Sequence, residues 1–336
     1  MLRSREDSLV AFTLTTQGAV GAFFIWFLST ILGGRVEEAR AMESHPGALM
    51  AMLFGLLVLQ TFALVTSTLH LGKPQFCYRA LNNLRHSWIS REILTTGIFY
   101  QMLGGYALVT VFPVLLSWLP PSLSHLPPTL LGWGGAVVGP LALYCMSQCY
   151  RIKARPFWDH WHVYGAFFAS ALILGCLVVG FLFGAAEQID GRAVGPLLGY
   201  LALPLLFSLL LQGVSLVAHF RYLKERGDEA AVSRMLLCVT FGKLYITRYI
   251  SWGILTLLAL FFLVEILSGG WGLVVWGLMT LLALAHEVFG RFLFYAAVVP
   301  TSHPGSFFFG NNVFVTHAQK TGLANMPQTG VPPKTT

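Results

Sequence analysis

Residues 162–186 read HVYGAFFASALILGCLVVGFLFGAA, 25 residues without a single Asp, Glu, Lys or Arg and with their one histidine at the first position. A membrane-spanning helix needs about 20 mostly apolar residues, because the hydrocarbon core offers the backbone no hydrogen-bond partners and a helix satisfies its own. The stretch reads as such a span. Working outward from it, seven more segments qualify, at about 10–33, 47–70, 93–118, 129–150, 196–219, 244–268 and 271–300. The expected fold is all-α: a polytopic integral membrane protein, a bundle of eight transmembrane helices.

Composition agrees. Of 336 residues, 56% are hydrophobic and 10% charged, against roughly 25% charged in a soluble domain. No polar block is large enough to fold apart, so residues 1–301 read as one membrane domain. Residues 302–336, with Gly, Pro, Thr, Asn and Gln between a few aromatics, are expected to be an irregular or disordered tail. The first residues include Arg3, Arg5, Glu6 and Asp7, and the apolar segment after them is too long for a signal peptide and has no cleavage site, so the first helix is expected to remain.

An even number of spans puts both termini and the loops 71–92, 151–161 and 220–243 on one face. Sixteen basic residues fall there, against Arg35, Arg40 and Arg192 on the other. By the positive-inside rule the terminal face is expected to be cytoplasmic, in a bacterial inner membrane. The formal charge of +7 is thus explained by topology, and nucleic acid is not an expected partner. The five cysteines, Cys77, Cys145, Cys149, Cys176 and Cys238, form no CxxC pair, which argues against zinc or an iron-sulfur cluster held by this protein alone. Cys145 and Cys149 share a helix face and read as small packing residues. Only His286 lies well inside a span, without a histidine partner at matching depth, so no haem is expected.

Ionisable side chains in a bilayer are costly, at least about 2.5 kcal/mol at its centre, and mark function by default. His70 is placed at the end of the second segment, Glu92 at the opening of the third, His162 at that of the fifth, His219 at the end of the sixth and Arg248 at the start of the seventh. All lie toward the terminal face. The eighth segment carries His286, Glu287 and Arg291, of which the last two are i and i+4 and can pair across one helix face. Pairing could serve only to lock the helix against a neighbour, or the group could stand beside a polar pocket. The helix-end histidines could sit at headgroup level, and Trp88, Trp158 and Trp161 read first as interfacial belt residues.

The stretch from His70 to Ile93, HLGKPQFCYRALNNLRHSWISREI, resembles the membrane anchor family of the anaerobic dimethyl sulfoxide reductases. The family pattern of His-Leu-Gly-x-Pro, Arg-Ala-x-x-Asn and Ser-x-x-Ser-x-Glu-Ile falls on His70, Leu71, Gly72, Pro74, Arg79, Ala80, Asn83, Ser87, Ser90, Glu92 and Ile93. Two weaker stretches fit as well: YRIKARPFWDHWHVYGAFFASALILG, with Pro156, Trp158 and Phe168, and HEVFGRFLFY, with Glu287, Gly290, Arg291, Phe294 and Tyr295. The resemblance implies an eight-helix anchor without a cofactor of its own. It implies that menaquinol is bound and oxidised to menaquinone, and that electrons pass to a four-cluster iron-sulfur subunit and on to a molybdopterin catalytic subunit. It associates quinol oxidation with the residues matched here by His70 and Glu92. Around them, Gly72, Pro74, Arg79, Ser90, His286, Glu287, Arg291 and Tyr295 are the candidate quinol-binding residues.

The chemistry is compatible. Quinol oxidation releases two protons with two electrons, so a site needs an apolar cleft, hydrogen-bond partners for the hydroxyls and a base with a path to water. A histidine titrates near neutral pH, and His70 is expected to take a quinol proton that Glu92 relays outward. Arg85, Arg91 and the 220–243 loop are candidate docking residues for a partner. Other readings are an anchor working in reverse, with sulfur-compound oxidation feeding quinone, a purely structural anchor, or a secondary transporter. The transporter would require matched broken helices near the midplane, and no such pair stands out.

Overall fold

A computed structural model describes residues 2–32, 42, 44–69, 74–226, 228–264, 267, 271–299 and 319–320. Among them there is no strand, and eight helices are long and apolar enough to cross a membrane. In sequence order these are α1 (Leu2–Leu32), α2 (Pro46–Leu69), α3 (Trp88–Val111), α4 (Leu126–Tyr150), α5 (His162–Ile189), α6 (Gly195–Arg226), then, after a short α7 (Asp228–Met235), α8 (Gly242–Leu263) and α9 (Gly272–Ala296). A 3₁₀ helix, Pro74–Asn83, leads toward α3, and a π turn, Leu236–Thr240, joins α7 to α8. The eight expected spans are all present. His70, Leu71 and Gly72 and nearly all of the 302–336 tail lie outside the described residues.

Several boundaries differ from expectation, and three have a clear local reason. The third span begins at Trp88, not 93, because Ser87 caps it: its side chain accepts the Ser90 N–H at 3.3 Å. Glu92 therefore sits inside the helix, in its second turn. That span also ends at Val111 rather than 118, since Pro113 cannot continue the ladder. The sixth helix runs on to Arg226, so His219 is an interior helical residue, and Arg248 likewise lies inside α8.

Two helices form the centre. α1 and α5 approach so closely that a Cβ on Gly21 would run into the Ala171 carbonyl, and one on Gly175 into the Gly21 backbone. Small residues at such a crossing let backbones touch where lipid supplies no hydrophobic drive. α2, α4 and α9 also pack on α1, α6 packs on α5, and α8 fits between α6 and α9. The outer surface is apolar, as with Phe54 on α2, Phe207 on α6, Ile246 on α8 and Leu281 on α9, all exposed. The interior is largely apolar too, with Phe23, Trp26, Phe99 and Trp276 buried, and also holds the polar Thr13, Gln17, Gln60, Thr96, Ser170 and Gln212.

Candidate functional site

The polar interior concentrates in the half of the bundle where α1 begins. Glu92 points inward from α3 and is buried, and its Oε2 accepts the Cys149 thiol of α4 at 3.2 Å. The next residue of α4, Tyr150, shares a hydrogen bond of 2.7 Å with the hydroxyl of Tyr295 on α9, and Thr13 of α1 is in hydrogen-bonding reach of that same hydroxyl. Both tyrosines lie within electrostatic range of Glu92. Four helices thus converge on a carboxylate whose direct side-chain partner is a neutral thiol.

Ser90, buried one turn from Ser87, donates its backbone N–H to the Ser87 hydroxyl at the start of α3. Arg91 does not reach inward. Its Nε and Nη2 donate to the carbonyls of Leu84 and Arg85 at 2.9 and 2.7 Å, and its guanidinium covers the Trp88 ring. It therefore braces the turn before α3. Arg79 is exposed and stacks over Phe76 at 4.3 Å, with Tyr78 also near. Pro74 opens the 3₁₀ helix that carries both. Arg79 and Pro74 belong to this surface segment, whereas Ser90 and Glu92 belong to the interior.

On α9 the expected pairing of Glu287 with Arg291 is not made. Among the described residues no ion pair joins them; each turns to a different helix. Ser170 of α5 donates to Glu287 Oε2 at 2.6 Å, and the Gln212 amide of α6 donates to Oε1 at 2.8 Å. Arg291 donates to Gln17 of α1 at 2.9 Å and stacks on Phe167 at 4.0 Å, a cation–π contact that eases its burial. His286 holds the other end of Gln212, with Nε2 at 2.9 Å from the amide oxygen, while its Nδ1 meets Ser251 of α8 at 2.8 Å. Arg248 lies over Gly290, where a side chain on α9 would collide with its guanidinium.

A histidine group closes the same end. The His162 and His219 rings stack with centroids 3.4 Å apart, and His219 Nε2 donates to the Phe157 carbonyl at 2.9 Å. His160, in the loop before α5, stacks on Tyr222 and is half-buried. Its imidazole is held below the ordinary histidine range, first by burial and then by Arg151, with Asp159 opposing. Trp158, which reads from sequence as a belt residue, is instead buried and donates to the Phe294 carbonyl at 2.8 Å, fastening the loop to α9.

The structure thus joins Glu92 to Tyr295 through α4 and His286 to Glu287 through Gln212, whereas Arg291 goes separately to Gln17 and Phe167. Cys149, which reads from sequence as a small packing residue, is instead the thiol partner of Glu92, and Tyr150, Gln17, Ser170, Gln212 and Ser251, which complete these contacts, are not singled out by sequence reasoning. For the glutamines a signal exists, since an amide inside an apolar span must find partners.

Comparison with known proteins adds a family. The model of the DMSO reductase anchor subunit (DmsC) family matches residues 3–297. Among curated proteins, the sequence is similar to the C subunit of anaerobic dimethyl sulfoxide reductase from Haemophilus influenzae, 29% identical over 178 residues, or 52% of this sequence and 57% of the relative. It is similar to the C subunit of the same enzyme from Escherichia coli K12, 29% identical over 194 residues, 56% of this sequence and 61% of the relative. The anaerobic dimethyl sulfoxide reductase protein YnfH of E. coli K12 is 27% identical over 220 residues, 63% of this sequence and 70% of the relative. The match spans less than two thirds of the length of the first two relatives.

Proposed function

This chain belongs to the DMSO reductase anchor subunit family, and from that premise we propose that it oxidises menaquinol within the membrane and passes the electrons to an iron-sulfur subunit. In this reading the quinol gives two protons and two electrons. The electrons leave directly for a cluster on the four-cluster iron-sulfur partner, which feeds a molybdopterin catalytic subunit. His70 takes a hydroxyl proton and Glu92 passes it toward water. The terminal face is cytoplasmic, which puts the basic loops and the partner on the same side.

The observation that supports this reading most is the surroundings of Glu92. Its carboxylate is buried at the helix start that the family motif marks, faces the neutral Cys149 thiol, and has the Tyr150–Tyr295 hydroxyl pair close by. A carboxylate among neutral hydrogen-bonding groups can take up and release a proton without breaking an ion pair. General bases so placed typically contribute about 10²–10⁴-fold to rate.

The test is a pair of replacements in the assembled complex. His70→Ala and Glu92→Ala should abolish quinol-driven turnover while an artificial electron donor still reduces the catalytic subunit. Unchanged quinol oxidation in both would remove the assignment. Isolation of the protein from membranes should bring iron-sulfur and molybdenum polypeptides with it.

A further inference from the structure

A cavity of about 420 Å³ lies between α1, α2, α5 and α9. Its walls are apolar, with Leu14 and Gly18 from α1, Leu56 from α2, Leu174 from α5, and Val288 and Phe292 from α9. Val288 and its neighbour Leu284 are exposed on the outside of the bundle, so in a bilayer the mouth of the cavity meets acyl tails. Two carboxylates line it: Asp7 of α1, which is exposed, and Glu287 of α9, which is buried in its wall. The volume is within the range of small-molecule sites, roughly 300–1,000 Å³, and an apolar cleft with a few fixed polar groups is their usual composition.

Glu287 is fixed. Ser170 and Gln212 each donate to one of its oxygens. Gln212 cannot turn, because its own oxygen accepts the His286 Nε2–H, and His286 is anchored at Nδ1 by Ser251. A carboxylate offers about four acceptor sites, so after these two bonds each oxygen retains capacity. A ligand that uses it has to donate. It also has to be apolar elsewhere and arrive from the bilayer. A hydroxylated ring on a long hydrocarbon tail has all three properties, whereas a phospholipid acyl tail brings no donor.

We propose that this cleft is a binding site for an isoprenoid hydroquinone, with Glu287 accepting a hydrogen bond from a ring hydroxyl and Gln212 and His286 as positioning residues. It is distinct from the Glu92 pocket. Residues 11, 14, 15 and 18 of α1 line the cleft, while Thr13 and Gln17, on another side of that helix, face Tyr295 and Arg291. The inference rests on the quinol reading above, since it takes the same substrate class.

The experiment uses the full-length protein in nanodiscs with a prenylated naphthoquinone carrying an aryl azide, reduced before illumination, and maps the adducts. Adducts are expected within residues 11–18 and 284–292, and they should persist in Glu92→Gln. Glu287→Gln should weaken labelling about tenfold, the scale of one hydrogen bond to a charged group. Thr15→Trp, which fills the cleft, should abolish it, and Val288→Trp does the same from the opposite wall should the first variant fail to fold. Adducts confined to residues 74–99 and lost in Glu92→Gln would overturn the cleft while leaving the quinol reading intact. Labelling of the cleft by a photoreactive phosphatidylcholine that the naphthoquinol does not displace would show an acyl-tail seam and also overturn it. Cleft labelling together with normal quinol turnover in Glu92→Ala and His70→Ala would remove the Glu92 assignment and leave the cleft standing.

Discussion

Glu187 and Glu92 are both buried carboxylates, 3% and 9% exposed, near opposite ends of the bundle, and they differ in the company they keep. Glu187, near the end of α5, meets His45 at 2.9 Å and the Arg192 guanidinium at 3.7 Å, and the same two residues also contact Asp190. These contacts tie the residues before α2 to the turn between α5 and α6. Glu92 has a thiol and, nearby, two phenols. Contacts with a guanidinium and an imidazole make Glu187 a fastener, because removing one of them leaves a buried group unmatched. Neutral partners leave it free to exchange a proton, which is what chemistry needs and a fastener does not. The half of the molecule with Glu92 also contains Glu287, the stacked histidines and one ion pair, Arg151 with Asp159 at 3.4 Å, while the ion-pair cluster around Glu187 lies at the other end.

The comparison breaks first at Glu92. Replacing it with Gln keeps the volume and the capacity to hydrogen-bond Cys149 but removes proton exchange. Quinol-driven turnover should fall by about 10²-fold or more, with folding unaffected in a thermal melt. Glu187→Ala should do the reverse. Stability should drop by about 2 kcal/mol, the order of cost for leaving buried polar partners unmatched, while turnover per folded molecule stays the same. If Glu187→Ala lowered turnover as strongly as Glu92→Gln, the distinction between the two ends would fail.

Much of this division is open to the sequence, for reasons that can be named. Lipid enforces long apolar segments, so all eight spans stand out, and Glu92 stands out as a charge at the opening of the third span and by its match to the family motif. The start of α3 reads too late because Arg91 and Glu92 look like a polar boundary, yet Arg91 folds back onto the 84–85 carbonyls and Ser87 caps the helix five residues before Glu92. α6 reads too short because a helix leaving the bilayer can become charged without ending. The partners of Glu92 and Glu287 are not legible. Cys149 is 57 residues from Glu92, and Gln212 is 75 from Glu287. Spacing alone reveals neighbours on one helix, so it suggests Glu287 with Arg291, when packing turns each toward another helix.

Smaller effects sharpen the picture. Cys149→Ala should reduce quinol turnover by about fivefold, the equivalent of one ordinary hydrogen bond of about 1 kcal/mol, without changing turnover from an artificial donor. A full loss would make the thiol a reactant instead of a partner. The least effect is expected at His160, outside the spans. Its imidazole is held below the ordinary value, so the folded state resists protonation that the unfolded polypeptide accepts. Stability should be fully retained above the ordinary histidine range and decline as pH falls from there toward the depressed value. His160→Asn should change neutral-pH stability by no more than about 0.5 kcal/mol and flatten that acid-side decline, as read from melting temperatures across pH.

Redox-triggered infrared difference spectroscopy, with a bound naphthoquinone cycled between its oxidised and reduced forms, reports carboxyl protonation at the site itself. A carboxyl band that appears or vanishes with the redox step, is lost in Glu92→Gln and persists in Glu187→Gln is the expected result. A redox difference spectrum identical in wild type and Glu92→Gln, or one whose carboxyl band disappears only in Glu187→Gln, would contradict the assignment of proton exchange to Glu92.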